Sequence, residues 1–255
     1  MTTLTQRIQN YLHTKYRQHT IIDVPPFQLY LRRTEAHDVI TAALPYQNQS
    51  NWQVALEQII ATCQQQERTA RVQFLDTFAP TLPLALKNLG FRQIEKRTVL
   101  ACTPATYRPA PSMPGLSTII LSQQFSADDV HSELPTRELG FNPEMARAGG
   151  TDALTFQHSL MTDRAFVLRL NREAVAAGMF GEIHENVTEL VGVTTLPAFR
   201  RRGFAAYLTG YMTQVAFARQ VDVAFMLVDT ETAANVFKRV GYSFCATLLS
   251  YQLEN

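Results

Sequence analysis

The chain has 255 residues, a formal net charge of +1 and 46% apolar residues, enough for one large domain or two smaller ones with complete cores. With 18% charged residues and no basic block beyond Arg200–Arg202, the composition speaks against a nucleic-acid surface, and no apolar run approaches the roughly 18 residues of a membrane span. The polar N-terminus lacks an apolar signal core, and Cys63, Cys102 and Cys245 are odd in number and far apart, which predicts reduced thiols in a cytoplasmic protein.

Leu4, Ile8, Leu12 and Tyr16 recur at helical spacing and predict an amphipathic N-terminal helix. A strand reaching Phe27 follows, then a strand closed by Leu44-Pro45, a helix over Trp52–Gln66, a strand at Val72–Leu75 and a strand at Thr98–Cys102. Residues 103–114 hold four prolines and almost no apolar periodicity, which predicts a stiff, extended linker. The expected division is a first domain over 1–105, a linker over 106–115 and a second domain over 116–255. In the second part, a strand at Ser117–Leu121 precedes a helix opened by Ser126 and Asp129 and another opened by Asn142-Pro143-Glu144 and stopped by Gly149-Gly150. Strands at Ala165–Leu170, Ala174–Ile183 and Val187–Thr195 follow in hairpin order, with turns at Asn171–Glu173 and His184–Asn186. A helix starting at Phe204, a strand at Val223–Val228, a helix over about Glu231–Val240 and a strand over about Tyr242–Leu253 complete the chain.

The two parts repeat one another. Val72–Leu75 followed by Leu86–Phe91 matches Val223–Met226 followed by Phe237–Tyr242, and Leu44-Pro45 matches Leu196-Pro197, at an offset of about 150 residues. They differ after the proline. Residues 46–52 read Tyr-Gln-Asn-Gln-Ser-Asn-Trp, whereas residues 200–205 read Arg-Arg-Arg-Gly-Phe-Ala between a β-branched strand and an apolar helix. A glycine-containing turn at a helix start exposes unpaired N–H groups in front of the positive end of the helix dipole, a setting for phosphate. Three arginines at a helix N-terminus oppose that dipole unless an anion arrives.

Arg200, Gly203 and Ala205 in this setting, with Val236-Phe237-Lys238-Arg239-Val240-Gly241-Tyr242 further on, resemble the GNAT superfamily of acyl-CoA-dependent N-acyltransferases, whose motifs are Q/R-x-x-G-x-G/A and V/L-Y-x-x-x-G-F/Y. The resemblance covers 116–255, with 20–105 as a worn copy, and implies an α/β fold with a mixed sheet, the first copy lacking a cofactor loop. It implies acetyl-CoA, or another acyl-CoA, as co-substrate, lying where strand Val187–Thr195 parts from strand Val223–Val228. The backbone of Val193, Thr194 and Thr195 would pair with the pantetheine arm. Amides of Arg201, Arg202, Gly203, Phe204, Ala205 and Ala206 would wrap the pyrophosphate, with the Arg200–Arg202 side chains adding charge-assisted contacts.

For the chemistry, a glutamate eleven residues before Arg200, the spacing used in the histone-acetyltransferase branch, is Glu189, the candidate base. Strand alternation puts it on the same face as Val191, Val193 and Thr195. Glu182 is the second choice. The tyrosine that serves many relatives as acid is replaced by Phe237, leaving Tyr242, Tyr211 or water. The pantetheine-contacting asparagine falls on Thr230, with Asn235 able to substitute. The six histidines show no metal spacing. The resemblance implies an N-acetyltransferase acting on the primary amine of a small molecule or peptide, drawn to acidic positions such as Asp128, Asp129, Glu133, Glu138, Glu144 and Asp152. Phe237 also leaves open a non-catalytic acyl-CoA-binding or regulatory protein. An intrachain pseudo-dimer favours a monomer.

Overall fold

The computed structural model describes residues 2–16, 19–31, 41–121 and 164–254. The expected helices opened by Ser126 and Asn142, and the acidic positions between Asp128 and Asp152, lie outside the described residues. The chain splits into two compact units.

The first unit comprises Met1–Val99, Leu227–Asp229 and Phe244–Asn255. It holds α1 (Leu4–Thr14), β1 (Thr20–Val24), β2 (Phe27–Leu31), β3 (Thr41–Pro45), α2 (Gln53–Gln65), β4 (Arg71–Leu75), α3 (Leu82–Asn88), most of β5 (Phe91–Cys102) and the last strand of the chain, β11 (Ser243–Leu253). Its strands run in the order β1-β2-β3-β4-β11-β5, with β3 and β4 parallel and β11 antiparallel to β4. Helix α1 starts where Thr3 accepts the amide of Gln6 and buries Ile8, Gln9, Tyr11 and Leu12. The buried Gln9 amide donates to the Pro45 carbonyl and accepts from the Leu75 amide, so both its polar atoms are satisfied at the ends of β3 and β4. Trp52 is 2% exposed and donates to Thr81 Oγ1 at 2.9 Å.

One carboxylate closes the end of the ladder between the final strand and β4. Asp76 accepts the amides of Thr77 at 2.7 Å and Thr247 at 2.8 Å through Oδ1, while its own amide donates to the Thr247 carbonyl. Phe74 stacks on Tyr251 at 6.0 Å further along the pair. Asp76→Ala should therefore lower the first unit's stability by about 1–3 kcal/mol, because the Thr247 amide loses a charge-assisted bond. Amide exchange along β11, quickened in the variant, checks this; unaltered exchange contradicts it.

The second unit comprises Leu100–Met226 and Thr230–Ser243. It contains β6 (Leu116–Leu121), β7 (Ala165–Leu170), β8 (Glu173–Phe180), β9 (Val187–Thr195), α4 (Phe204–Ala218), most of β10 (Val223–Val228) and α5 (Glu231–Lys238), with strand order β10-β9-β8-β7-β6. The β7–β8 turn has Asn171 and Arg172 at positive φ, and the β8–β9 turn has Glu185 and Asn186 likewise. Two successive left-handed residues give the twist that tight hairpins need. Helix α4 packs across β7, β8 and β9. Gly178 makes room for it, since an added Cβ would lie 3.0 Å from Met212 Sδ and 3.3 Å from Val193 Cγ2. On the opposite face Leu121, Ala165, Val167, Ala177 and Met179 form an apolar layer against which Val191 packs.

Strand β8 stops at Phe180, three residues short of the expected Ile183. Glu182 consequently stands exposed in the β8–β9 connection, where its carbonyl accepts from Thr188 Oγ1, and not on a strand. Strand β5 is longer than expected, twelve residues from Phe91, because Arg92 to Lys96 are exposed and their charges hide the strand pattern.

Candidate functional site

The cleft begins where two strands separate. β9 and β10 pair in parallel only over Val187–Glu189 and Val223–Phe225. Beyond Glu189 the described pairing ends, and Val193, Thr194 and Thr195 form one wall of a cleft of about 600 Å³. β9 also carries a bulge. Its Val191 opposes Met179 while Thr194 opposes Ala177, three residues against two, and Gly192 takes φ +65° inside the extra step. The bulge inverts the alternation. Glu189 and Val191 share a face with Thr194 and the apolar layer, whereas Val193 turns toward Gly178 and α4. The expected common face for Glu189, Val193 and Thr195 is corrected accordingly.

The floor of the cleft is the strand-to-helix turn. After β9, Pro197–Phe199 form one 3-10 turn, and Arg201 (φ +62°) and Gly203 (φ +86°) both adopt the left-handed region before α4 starts. Gly203 is the N-cap residue, with no side-chain cap and no acidic residue in the first turn. An L side chain at φ +86° is strained, and this backbone, rather than crowding, is what demands glycine, since an added Cβ would meet only Met113 Cε at 3.5 Å. Phe199, Arg200, Arg201, Gly203, Phe204, Ala205 and Ala206 line the turn's side of the cleft. Arg200 Nε donates to the Thr195 carbonyl at 3.1 Å, tying the loop to the end of β9. The first turn of α4 therefore presents backbone N–H groups and cationic side chains together, and no carboxylate lines the cleft among the described residues.

Helix α5 supplies the other wall through Thr232, Ala233, Asn235, Val236, Phe237 and Arg239. Thr232 and Ala233 were not singled out from the sequence, and Val236 and Arg239 only as members of the Val236–Tyr242 motif; their signal is the helical spacing around Asn235 and Phe237. Asn235 is partly committed, accepting from Lys238 Nζ at 3.0 Å.

Five expected site residues are not among those lining the cleft: Glu182, Glu189, Thr230, Arg202 and Tyr242. Thr230 caps α5, its hydroxyl accepting the Ala233 amide at 3.2 Å, and does not line the cleft. The Arg202 guanidinium lies over the Phe199 and Phe204 rings at 5.7 and 5.5 Å, stiffening two aromatic cleft residues instead of facing the cavity. Tyr242 is 2% exposed and its hydroxyl lies 2.8 Å from Thr213 Oγ1, which itself donates to the Thr209 carbonyl. The single Thr213 proton is thus used, so Tyr242 must donate its own to Thr213. Burial first, opposed by that hydrogen bond, pushes the phenol far above its ordinary range. Its proton is committed behind α4, outside the cleft, which removes Tyr242 as the acid.

Tyr242→Phe should accordingly leave the turnover number within about twofold, while the lost hydrogen bond lowers stability by about 1 kcal/mol, or roughly 2–4 °C in Tm. Steady-state rates and thermal melts of the same preparation read both effects; a tenfold fall in rate would restore Tyr242 to the chemistry.

Glu189 is 4% exposed at the last paired position, the root of the gap, and accepts the Gly181 amide through its carbonyl. Phe237 lines the cleft at 8% exposure and carries no proton. Thr195 Oγ1 is a buried hydroxyl with no partner among the described residues, at the wall of the cavity. Among the described residues no three His, Cys, Asp or Glu side chains group around a common point for a metal.

The first unit keeps a worn version of this cleft, about 400 Å³, lined by Ser50, Asn51, Trp52, Gln53, Thr81, Leu84 and Asn88 among others. Through the repeat, Arg200, Arg201 and Arg202 correspond to Asn48, Gln49 and Ser50, Gly203 to Asn51, and Arg239 to Asn88. Every cation has become neutral, so the electrostatic basis for holding a pyrophosphate is gone.

A mixed sheet whose neighbouring parallel strands part beside a left-handed, arginine-rich helix start is the α/β architecture of the acyl-CoA N-acyltransferases. Residues 131–242 match the acetyltransferase (GNAT) family. A GCN5-related N-acetyltransferase from Kribbella flavida is similar over 100% of this chain and 97% of its own, with TM-score 0.76 and 21% identity. One from Sphaerobacter thermophilus covers 89% of this chain and 76% of its own, with TM-score 0.66 and 13% identity. A tandem GNAT protein from the clavulanic acid biosynthesis pathway covers 91% and 85%, with TM-score 0.63 and 11% identity. No curated protein matches the sequence. Residues 131–242 thus match a GNAT-family domain, a family whose general activity is acetyl transfer, and the fold of the whole chain is that of the GCN5-related N-acetyltransferases.

Proposed function

We propose that the second unit transfers an acetyl group from acetyl-CoA to the primary amine of a small molecule or peptide by direct attack. The observation that carries this reading is the convergence, on one cleft, of the exposed end of β9, the left-handed turn at Arg201–Gly203 and the cations Arg200, Arg201 and Arg239. The cleft fits the donor by its chemistry. The orphaned Thr195 hydroxyl awaits a polar partner, and the unpaired first-turn amides of α4 suit a pyrophosphate. Val193–Thr195 would hold the pantetheine arm by strand addition, and Phe199 and Phe204 offer flat apolar contact.

Acetyl-CoA supplies a thioester whose acyl carbon takes the amine nitrogen as the C–S bond breaks and the thiolate departs. Glu189, at the root of the gap, takes the amine proton directly or through water. The thiolate receives its proton from water, since Phe237 has none to give and Tyr242 is committed to Thr213. The neutral side chains of the first unit's cleft support one donor site per chain, the internal repeat supports a monomer, and the odd, widely spaced cysteines support a cytoplasmic location.

Calorimetry with acetyl-CoA, followed by CoA-thiol release against a broad amine panel, tests the reading. One donor bound per chain with amine-dependent thiol release supports it. Tight binding with no release against any amine replaces it with an acyl-CoA-binding regulator, the alternative that Phe237 favours. Absence of binding removes it altogether.

A further inference from the structure

The proline-rich stretch between β5 and β6 lies along α4 within the second unit. Tyr107 donates its hydroxyl proton to the Gly210 carbonyl at 3.0 Å, and its ring stands edge-on to Phe217 at 5.8 Å. Ala110 comes so close to the helix that an added Cβ on Gly210 would lie 3.3 Å from its nitrogen and 3.4 Å from its Cβ. Met113 then closes on Gly203, its Cε 3.5 Å from where a side chain there would begin. Phe217, Gly210 and Gly203 are spaced by seven residues, two helical turns, so the stretch follows a single stripe of α4 from its last turns to its N-cap.

The other end of this stretch is anchored independently. The Arg108 amide donates to the Val240 carbonyl at 3.2 Å, and Gly241, at φ +97°, must lack a side chain because a Cβ would collide with the Thr106 carbonyl. Glycine inside a helix is unfavourable relative to alanine. Gly210 is explained by the passage of Ala110 beside it, so the helix gives up local stability for this contact.

We propose that Tyr107–Met113 is a strap that fixes the N-terminus of α4, with Met113 a positioning residue that packs beside Gly203 and holds the left-handed turn open for the pyrophosphate. This rests on the acyl-CoA reading of the cleft. The four prolines over 103–114 suit the part, because a stiff extended chain transmits its anchorage at Val240 to the far end of the helix. Met113 touches no reacting atom; it acts through the backbone of Gly203.

The test compares Met113→Ala, Met113→Leu and Tyr107→Phe with Val167→Ala, a cavity variant in the apolar layer on the other face of the sheet. Met113→Ala should weaken acetyl-CoA binding about 5–10-fold and raise its KM to match, with kcat and the amine KM within about twofold, since a misplaced cradle costs donor affinity first. Met113→Leu should restore affinity to within about twofold, and Tyr107→Phe should fall between the two. Val167→Ala should lower Tm comparably yet bind the donor like the parent chain. Parental affinity in Met113→Ala, or equal weakening in Val167→Ala, overturns the proposal. If the parent chain binds no acetyl-CoA, the reading of the cleft fails and the strap is judged alone, by amide exchange in the unliganded chain. Faster exchange of Phe204–Tyr207 in Met113→Ala then supports the strap, and unchanged exchange overturns it.

Discussion

Gly203→Asp is expected to weaken acetyl-CoA binding at least about 100-fold, a loss of about 2.7 kcal/mol. Two effects combine at this position. The backbone sits at φ +86°, where a residue with a Cβ costs about 1–2 kcal/mol, though aspartate tolerates this region better than most. The larger effect is a carboxylate beside the start of an α-helix that has no acidic residue in its first turn, next to a cleft lined by Arg200, Arg201 and Arg239. Its charge would compete with the pyrophosphate for the arginines and repel it. Gly203→Asn separates the two contributions, having the same shape and backbone tolerance without the charge, and should lose only about tenfold. Calorimetry at low and high salt reads the difference. The gap between the two variants should narrow as salt screens the charge. Equal affinities for parent and Gly203→Asp would show that the donor does not use this turn.

Glu189→Gln should lower the turnover number about 100-fold near neutral pH while leaving the affinity for acetyl-CoA unchanged, which is the range a positioned general base contributes. Glutamine keeps the size and polarity of the buried side chain while removing its charge and its basicity, so the fold at the root of the β9–β10 gap is preserved. The rate should recover partly at high pH, where more of the amine is already neutral and needs no base. Glu182→Gln, in the exposed connection, should change little. A pH–rate profile of Glu189→Gln superimposable on that of the parent would take Glu189 out of the mechanism.

Much of the framework was legible because the signals were local. β7, β9 and β10 run over the ranges that alternation and β-branching imply, and the glycine turn opens α4 at Phe204 as the strand-to-helix change of period requires. What stayed hidden depended on partners distant in sequence. The Gly192 bulge inverts the faces of β9, and counting by twos from Glu189 passes straight over an extra residue. The fate of Tyr242 is decided by Thr213, a hydroxyl on α4 about thirty residues earlier in the chain. Arg202 prefers two rings to the cavity, which depends on how Phe199 and Phe204 converge across the turn. The linker's lack of apolar periodicity marked it as extended, yet gave no sign that Tyr107 and Met113 would follow α4.

The position of β11 has a consequence for biosynthesis. Leu248 to Gln252 pair with Arg71 to Leu75, and β11 stands between β4 and β5 in the first unit. A ribosome releases α1 through β5 long before the strand that belongs among them is made, so the unit synthesised first is completed last. Until then β4 and β5 lack their common neighbour, and their edges are open to foreign strands. Expressing the two halves as separate polypeptides would leave the first without a central strand; supplied in trans, a peptide of the β11 sequence should restore it.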